Sequence, residues 1–205
     1  MKVINLSYPV KKELTAGKVV LALGFFVCGF QVVFIGVHMP SYLKDNGLSP
    51  QVASYALALI GLFNVFGTYI AGTLGQRMPR RFILSFIYLA RAVAISVFLL
   101  VPLSPLSVYI FSAVMGTLWL STVPPTNATI AQIFGVQHLS MLGGFVFFSH
   151  QLGSFMGVWL GGYLYDATGS YDIVWYIAIG LGVLAGLVNL PIKEAPIQRA
   201  QPQAA

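Results

Sequence analysis

The chain reads as a succession of long apolar runs divided by short clusters of charged and turn-forming residues. Six runs stand out between Val19 and Pro191, at about residues 19–42, 51–74, 82–101, 108–133, 139–165 and 173–190. Their separators are Lys44-Asp45-Asn46-Gly47, Gly75 to Arg81, Pro102 to Pro105, Gly135 to His138, and Asp166 to Asp172, residue types that stop helices and make turns. Crossing about 30 Å of hydrocarbon as a helix takes roughly 20 mostly apolar residues. The runs are long and continuous, whereas the strands of a membrane barrel alternate over about 10 residues. The pattern therefore predicts an all-α integral membrane bundle of six transmembrane helices whose solvent is the lipid bilayer.

Composition sharpens this picture. Only 8% of residues are charged and 58% are hydrophobic, against roughly 25% charged in a soluble domain. The few charges set a topology. Lys2, Lys11, Lys12 and Lys18 precede the first run, Arg77, Arg80 and Arg81 divide the second from the third, and Lys193 and Arg199 follow the sixth. In a chain that crosses six times all of these share one side, and basic flanks stay in the cytoplasm. The other side has Lys44 beside Asp45, with Asp166 and Asp172. Both termini are thus expected in the cytoplasm, with residues 1–18 a basic lead-in, 19–192 the transmembrane domain and 193–205 a tail, in a bacterial inner membrane. The formal net charge of +6 is accounted for by topology, and no aromatic-basic recognition motif accompanies it, so no nucleic-acid partner is expected. The lead-in is too polar for a signal peptide and the run after it too long for a cleaved one.

Small residues four apart let helices approach closely in lipid. The fifth run carries Gly153, Gly157 and Gly161 at that spacing and the second carries Gly67, Ala71 and Gly75. Ordinary helix packing and a moving interface between two bundles are the two readings.

The polar residues inside the runs are the candidate chemistry. Arg91, ten residues past Arg81, lies about 15 Å deep at 1.5 Å per residue, and it is the only formal charge within a run. An arginine at that depth faces protein or water. It is either satisfied by helix carbonyls and neighbours such as Tyr88, or it is a positive site for an anionic substrate. His150 reaches a similar depth beside Gln151, on a stripe with Phe147, Ser154, Gly157 and Gly161. It either bonds a neighbouring helix or titrates as a proton carrier. Gln31, Asn64, Trp119, Thr122 and Thr126 reach comparable depths. The fourth run is interrupted by Pro124-Pro125, freeing carbonyls that either line a cavity or are capped as a plain kink. Substrate sites of secondary transporters lie at the midplane where helices are interrupted.

No enzyme chemistry emerges. Gly153-Ser154-Phe155-Met156-Gly157 has its serine one place early for a nucleophile elbow, so no catalytic residue is assigned. His38, His138 and His150 fall at different depths or sides, and the lone Cys28 forms no cluster, so no metal or cofactor is expected.

Gly72-Thr73-Leu74-Gly75-Gln76-Arg77-Met78-Pro79-Arg80-Arg81 resembles the loop motif of the major facilitator superfamily, roughly G-x-L-[AG]-D-R-x-G-R-R, between the second and third helices of each half. Six positions agree; Gln76 replaces the usual Asp and Pro79 the usual Gly. Gly161 to Asp172 is similar to the link between the last two helices in monocarboxylate and oxalate/formate type members. The resemblance implies the carboxy-terminal six-helix half of a twelve-helix carrier, with a 3+3 pseudo-repeat. Its first and fourth helices would line the cavity, the fifth would flank it, and the third and sixth would be peripheral. It implies secondary active transport of a small solute, an organic anion such as a monocarboxylate, by alternating access, with a second six-helix half as partner on the same or a separate chain. The expected substrate-binding residues are Gln31, Asn64, Trp119, Thr122, His150, Gln151 and Arg91. The expected gating loop is Gly72, Gly75, Arg77, Arg80 and Arg81. The competing class is a non-transporting assembly or regulatory partner that docks through its glycine faces.

Overall fold

The computed structural model describes residues 8–195, with side chains from residue 17 onward; the lysines before Lys18 and Arg199 lie outside the described side chains. Seven α-helices follow one another: α1 (Tyr8–Asp45), α2 (Pro50–Leu74), α3 (Arg80–Leu100), α4 (Pro105–Leu118), α5 (Val123–Phe134), α6 (Leu139–Thr168) and α7 (Asp172–Asn189), with a single 3-10 turn at Val136–His138. α4 and α5 are two halves of one broken span, so the rods number six. Five of the six, Gly17–Asp45, Pro50–Leu74, Arg80–Leu100, Pro105–Phe134 and Asp172–Asn189, are long and apolar enough to cross a membrane. α6, with 30 residues, is also long enough, but Ser149-His150-Gln151 at its centre dilutes its apolarity.

Local chemistry sets the helix ends. α2 and α4 carry Pro within their first two positions, where the missing N–H costs nothing. Ser104 caps α4 in a reciprocal box with Ser107, whose backbone N–H donates to Ser104 Oγ at 3.2 Å. α6 stops at Gly169, whose φ of +71° is left-handed and whose N–H donates to Tyr165 O at 2.7 Å.

The rods pack in three pairs, α1 with α6, α2 with α4, and α3 with α7. Exchanging the first three rods for the last three maps the α1–α6 pair onto the α4–α2 pair and the α3–α7 pair onto itself, which is the pairing a 3+3 pseudo-repeat requires. Glycines mark equivalent crossings. A Cβ on Gly153 of α6 would strike the carbonyl of Phe26 on α1, and one on Gly29 of α1 would strike the carbonyl of His150. In the other pair, a Cβ on Gly67 of α2 would strike Thr117 O, and one on Gly116 of α4 would lie 2.7 Å from Ile60 O. Backbones therefore touch at both crossings, the close approach that dispersion in lipid rewards. The glycine faces of the second and fifth spans are consumed inside the chain and are not free to dock a partner.

One end of the bundle holds an aromatic core. Trp175 is fully buried, edge-on to Phe34 at 4.9 Å and flanked by Tyr42, Phe98 and Phe111. The other end is closed by Leu21, Phe25, Leu84, Ile130, Ile133 and Ile192. The basic groups gather at this second end: Lys18 Nζ lies 5.3 Å from the Phe134 ring centroid, and Arg80 and Arg81 meet Glu194 after α7.

Candidate functional site

The site is built on the break between α4 and α5. A proline at position i withholds the N–H that would bond the carbonyl of i−4, so Pro124 and Pro125 deprive Leu120 O and Ser121 O of helical partners. The helix repairs this by tightening: Val123 N donates to Leu120 O at 3.0 Å, one residue short of helical spacing. That displacement moves the rupture upstream, to the carbonyls of Leu118 and Trp119 and the amide of Leu120, because Trp119 N already turns back to Gly116 O at 3.0 Å. An unpaired backbone group in hydrocarbon costs several kcal/mol. Here, side chains from other helices supply the missing partners.

Asn64 of α2 accepts the Leu120 N–H on Oδ1 at 3.0 Å, and Thr68 donates to the same oxygen at 3.3 Å. Arg91 of α3, fully buried, donates from Nε and Nη2 to Leu118 O at 3.1 and 2.6 Å, and from Nη2 to Trp119 O. Its Nη1 reaches Gln31 Oε1 of α1 at 3.4 Å, while Gln31 Nε2 donates to Ala178 O of α7 at 2.8 Å. The Tyr88 ring lies 5.5 Å from the guanidinium carbon. Ser121 Oγ donates to Thr117 O at 2.6 Å. Asn64 of α2 and Arg91 of α3 thus meet the turn directly, and Gln31 of α1 and Ala178 of α7 extend the same network behind Arg91. Hydrogen bonds to a charged group contribute about 1.5–3 kcal/mol each, enough to hold the arginine at that depth.

Cys28 joins this network from α1: its Sγ is 3.4 Å from Thr122 Oγ1 and 4.0 Å from Trp119 O. The next residue, Gly29, is where the His150 carbonyl of α6 meets α1. His150 Nδ1 lies 3.3 Å from Gln151 Oε1 and 3.4 Å from Ser154 Oγ, with Phe147 stacked on the ring at 5.6 Å and Phe25 edge-on at 6.1 Å.

The expected substrate-binding residues therefore divide. Gln31, Arg91 and Thr122 are fully buried with their polar atoms on protein groups. Asn64 and Trp119 are half-buried, His150 retains 9% exposure, and Gln151 is exposed beside it. An open groove beside the break is lined by Asn64, Thr68, Tyr69, Leu120 and Val123. The stripe expected around His150 is narrower than the sequence spacing implies: His150, Gly157 and Gly161 are buried, whereas Phe147 is 55% exposed.

The loop residues lie at the basic end. Gly72 is half-buried near Pro124, Gly75 ends α2, and Arg77 is exposed. Arg80 pairs with Glu194 at 3.8 Å and donates to Gln132 Oε1. The Arg81 backbone N–H donates to Glu194 Oε1 at 2.7 Å and its Nη1 to Ile192 O at 3.4 Å. Glu194 and Gln132 were not singled out by sequence reasoning. The available signal was that Glu194 is the sole acidic residue after the sixth span, on the side of the arginine loop whose own acid is missing.

The family model for the Major Facilitator Superfamily matches residues 21–205. The chain belongs to that superfamily. It is similar to the uncharacterized MFS-type transporter YcxA of Bacillus subtilis (strain 168), 28% identical over 177 residues covering 83% of this chain and 43% of that protein. It is also similar to monocarboxylate transporter 13 of Rattus norvegicus, 26% identical over 161 residues, 76% of this chain and 37% of the relative. Monocarboxylate transporter 12 of Xenopus laevis is 24% identical over 198 residues, 87% of this chain and 41% of the relative. The chain spans about two fifths of the length of these relatives. Superfamily membership agrees with the paired six-rod bundle and marks an integral membrane chain of transporter type, resembling the monocarboxylate group, and not an enzyme.

Proposed function

We propose that this chain is the carboxy-terminal half of a secondary carrier that moves a small organic anion, a monocarboxylate in type, by alternating access against a second six-helix half. The observation that carries the reading is the mid-span rupture of α4–α5, with Trp119 and Asn64 half-open beside it, Cys28 of α1 on its Thr122, and His150 packed on the next residue of α1, Gly29. Interrupted helices at mid-depth are where secondary transporters hold substrate. Trp119, Asn64 and His150 form this half's wall of the site, Gln151 flanks it, and Arg91, Gln31 and Thr122 support it from behind. The relatives' monocarboxylate names favour the substrate class.

With Arg91 occupied by carbonyls, the group on this wall able to meet a carboxylate with positive charge is protonated His150. Gln151 and Ser154 of α6 lie at its Nδ1, with the Phe25 ring of α1 and the Phe147 ring of α6 against the imidazole. The carrier is thus a proton symporter in which a protonated His150 accepts the anion. The basic end, with both termini, faces the cytoplasm of a bacterial cell.

The test is uptake of a labelled monocarboxylate into proteoliposomes holding this chain and its partner half, with an imposed pH gradient. Acid outside accelerates uptake by the native pair, and His150→Ala loses that acceleration. An unchanged pH response in His150→Ala removes His150 from coupling, and crosslinking to a partner with no uptake by any pairing favours a non-transporting assembly role.

A further inference from the structure

We propose that Arg91 is a positioning residue of the transport cycle, a clamp that holds the turn from Trp119 to Thr122 unwound and aimed at the cavity without itself meeting the substrate. Its functional half rests on the carrier reading above; its structural half does not.

The argument starts from geometry. Arg91 has no exposed surface, and its hydrogen bonds all go to protein groups: Leu118 O, Trp119 O and Gln31 Oε1. Gln31 is itself anchored on Ala178 O, and Gly182 leaves the room it needs, since a Cβ there would lie 2.7 Å from Gln31 Nε2. A planar fork of donors can serve two successive carbonyls and a third acceptor at once, which the single ammonium of lysine cannot reproduce. The clamp also explains why the break stays open. Leu118 O and Trp119 O are the carbonyls that a regular helix would offer to Thr122 and Val123, and Arg91 occupies both. Held this way, Thr122 Oγ1 stays on Cys28 and the Trp119 ring stays half-open beside Gly36, where a Cβ would approach its Cζ2 to 3.9 Å.

Cys28 is the sole cysteine, fully buried against this turn, so its labelling by N-ethylmaleimide in membranes containing the full chain reports whether the turn is held. Arg91→Gln is expected to raise the labelling rate roughly tenfold with helix content retained, and Arg91→Lys to raise it less. Removing a neighbouring positive charge by itself slows thiol chemistry, so a faster reaction reports access. In Arg91→Gln combined with Pro124→Ala and Pro125→Ala, the helix can close its own ladder and labelling returns to the native rate. Native-rate labelling in Arg91→Gln, or fast labelling that the proline replacements do not reverse, overturns the clamp.

If Arg91→Gln fails to accumulate in the membrane, accumulation of the combined variant supports the clamp and its failure overturns it. In the uptake assay, Arg91→Gln lowers the maximal rate while KM stays within about twofold. A large rise in KM at preserved rate would put Arg91 on the substrate and overturn the proposal. An inactive native pair would sink the carrier reading while leaving the labelling result standing.

Discussion

Gly153 of α6 lies directly on the carbonyl of Phe26 of α1, so close that a Cβ at position 153 would overlap it. One turn on, a Cβ at Gly157 would lie 2.5 Å from Phe30 O, and from the opposite side Gly29 offers the same fit to the His150 carbonyl. The atoms in the way are backbone, so no rotamer change can relieve them. Gly153→Val is therefore expected to force α1 and α6 apart at a cost of about 1–3 kcal/mol, lowering the thermal unfolding midpoint in detergent. Gly162→Ala, where a Cβ meets nothing within 4 Å, serves as the neutral comparison. Equal midpoints for the two variants would mean that the crossing is looser than its geometry.

Asn64 supplies the one acceptor for the Leu120 N–H at the break. Asn64→Leu keeps the bulk but leaves that donor unpaired, at about 1–3 kcal/mol, and the loss should appear in the thermal midpoint. Asn64→Gln, which keeps an amide oxygen on a longer stem, should recover part of it. If Asn64→Leu were as stable as the native chain, the amide at 120 would have found another acceptor and the accounting of the break would be wrong.

The sequence allowed the rods to be counted because oil-length apolar runs leave a one-dimensional signature. It also placed Arg91, Asn64 and the Pro124-Pro125 interruption at a common depth, since depth along a helix is a matter of counting residues. It could not show that these oddities answer one another, because the contacts of Arg91 with Leu118 and of Asn64 with Leu120 depend on which rods are neighbours. Both alternatives offered for Arg91 began from the same buried charge; only the positions of the Leu118 and Trp119 carbonyls show what it touches. Half of each glycine crossing was visible: the regular spacing in the second and fifth runs revealed Gly153 and Gly67, while Gly29, with no glycine four residues away in α1, and Gly116, the one glycine of α4, carry no such spacing signal. The rupture at Trp119, upstream of the prolines, follows from the one-residue shortening at Val123, a detail of hydrogen-bond register rather than of residue type.

Trp175 fills the centre of the aromatic end and is fully buried among Phe34, Tyr42, Phe98 and Phe111. Trp175→Ala removes that mass where the surrounding rings belong to three other helices. The expected cost is about 3–5 kcal/mol, and Trp175→Phe should retain much of the packing. The measurement is the fraction of chain that remains monodisperse after a heat challenge in detergent; a Trp175→Ala variant indistinguishable from the native chain would mean that the cluster can collapse around the void.

Glu194 brings a carboxylate to the arginine loop, in which position 76 is a glutamine. α3 begins after Pro79 with no side-chain cap of its own, and the Glu194 carboxylate reaches back from beyond α7 to accept the Arg81 N–H at 2.7 Å while lying 3.8 Å from the Arg80 guanidinium. Ile192, 5% exposed, fixes the intervening backbone, and Gln132 Nε2 donates to Glu194 O at 2.6 Å, tying in the end of α5. An anionic oxygen on the first amides of a helix satisfies an orphan donor and complements the helix dipole. Glu194→Ala should cost about 1 kcal/mol and speed hydrogen exchange at the Arg81 amide and its neighbours. Glu194→Gln still offers a carbonyl oxygen to Arg81 and loses only the ion pair, whose partners are 21% and 13% exposed, so most of the protection should survive. Protection at Arg81 unaltered in Glu194→Ala would show that the amide is capped by another group and that the distant acid is incidental.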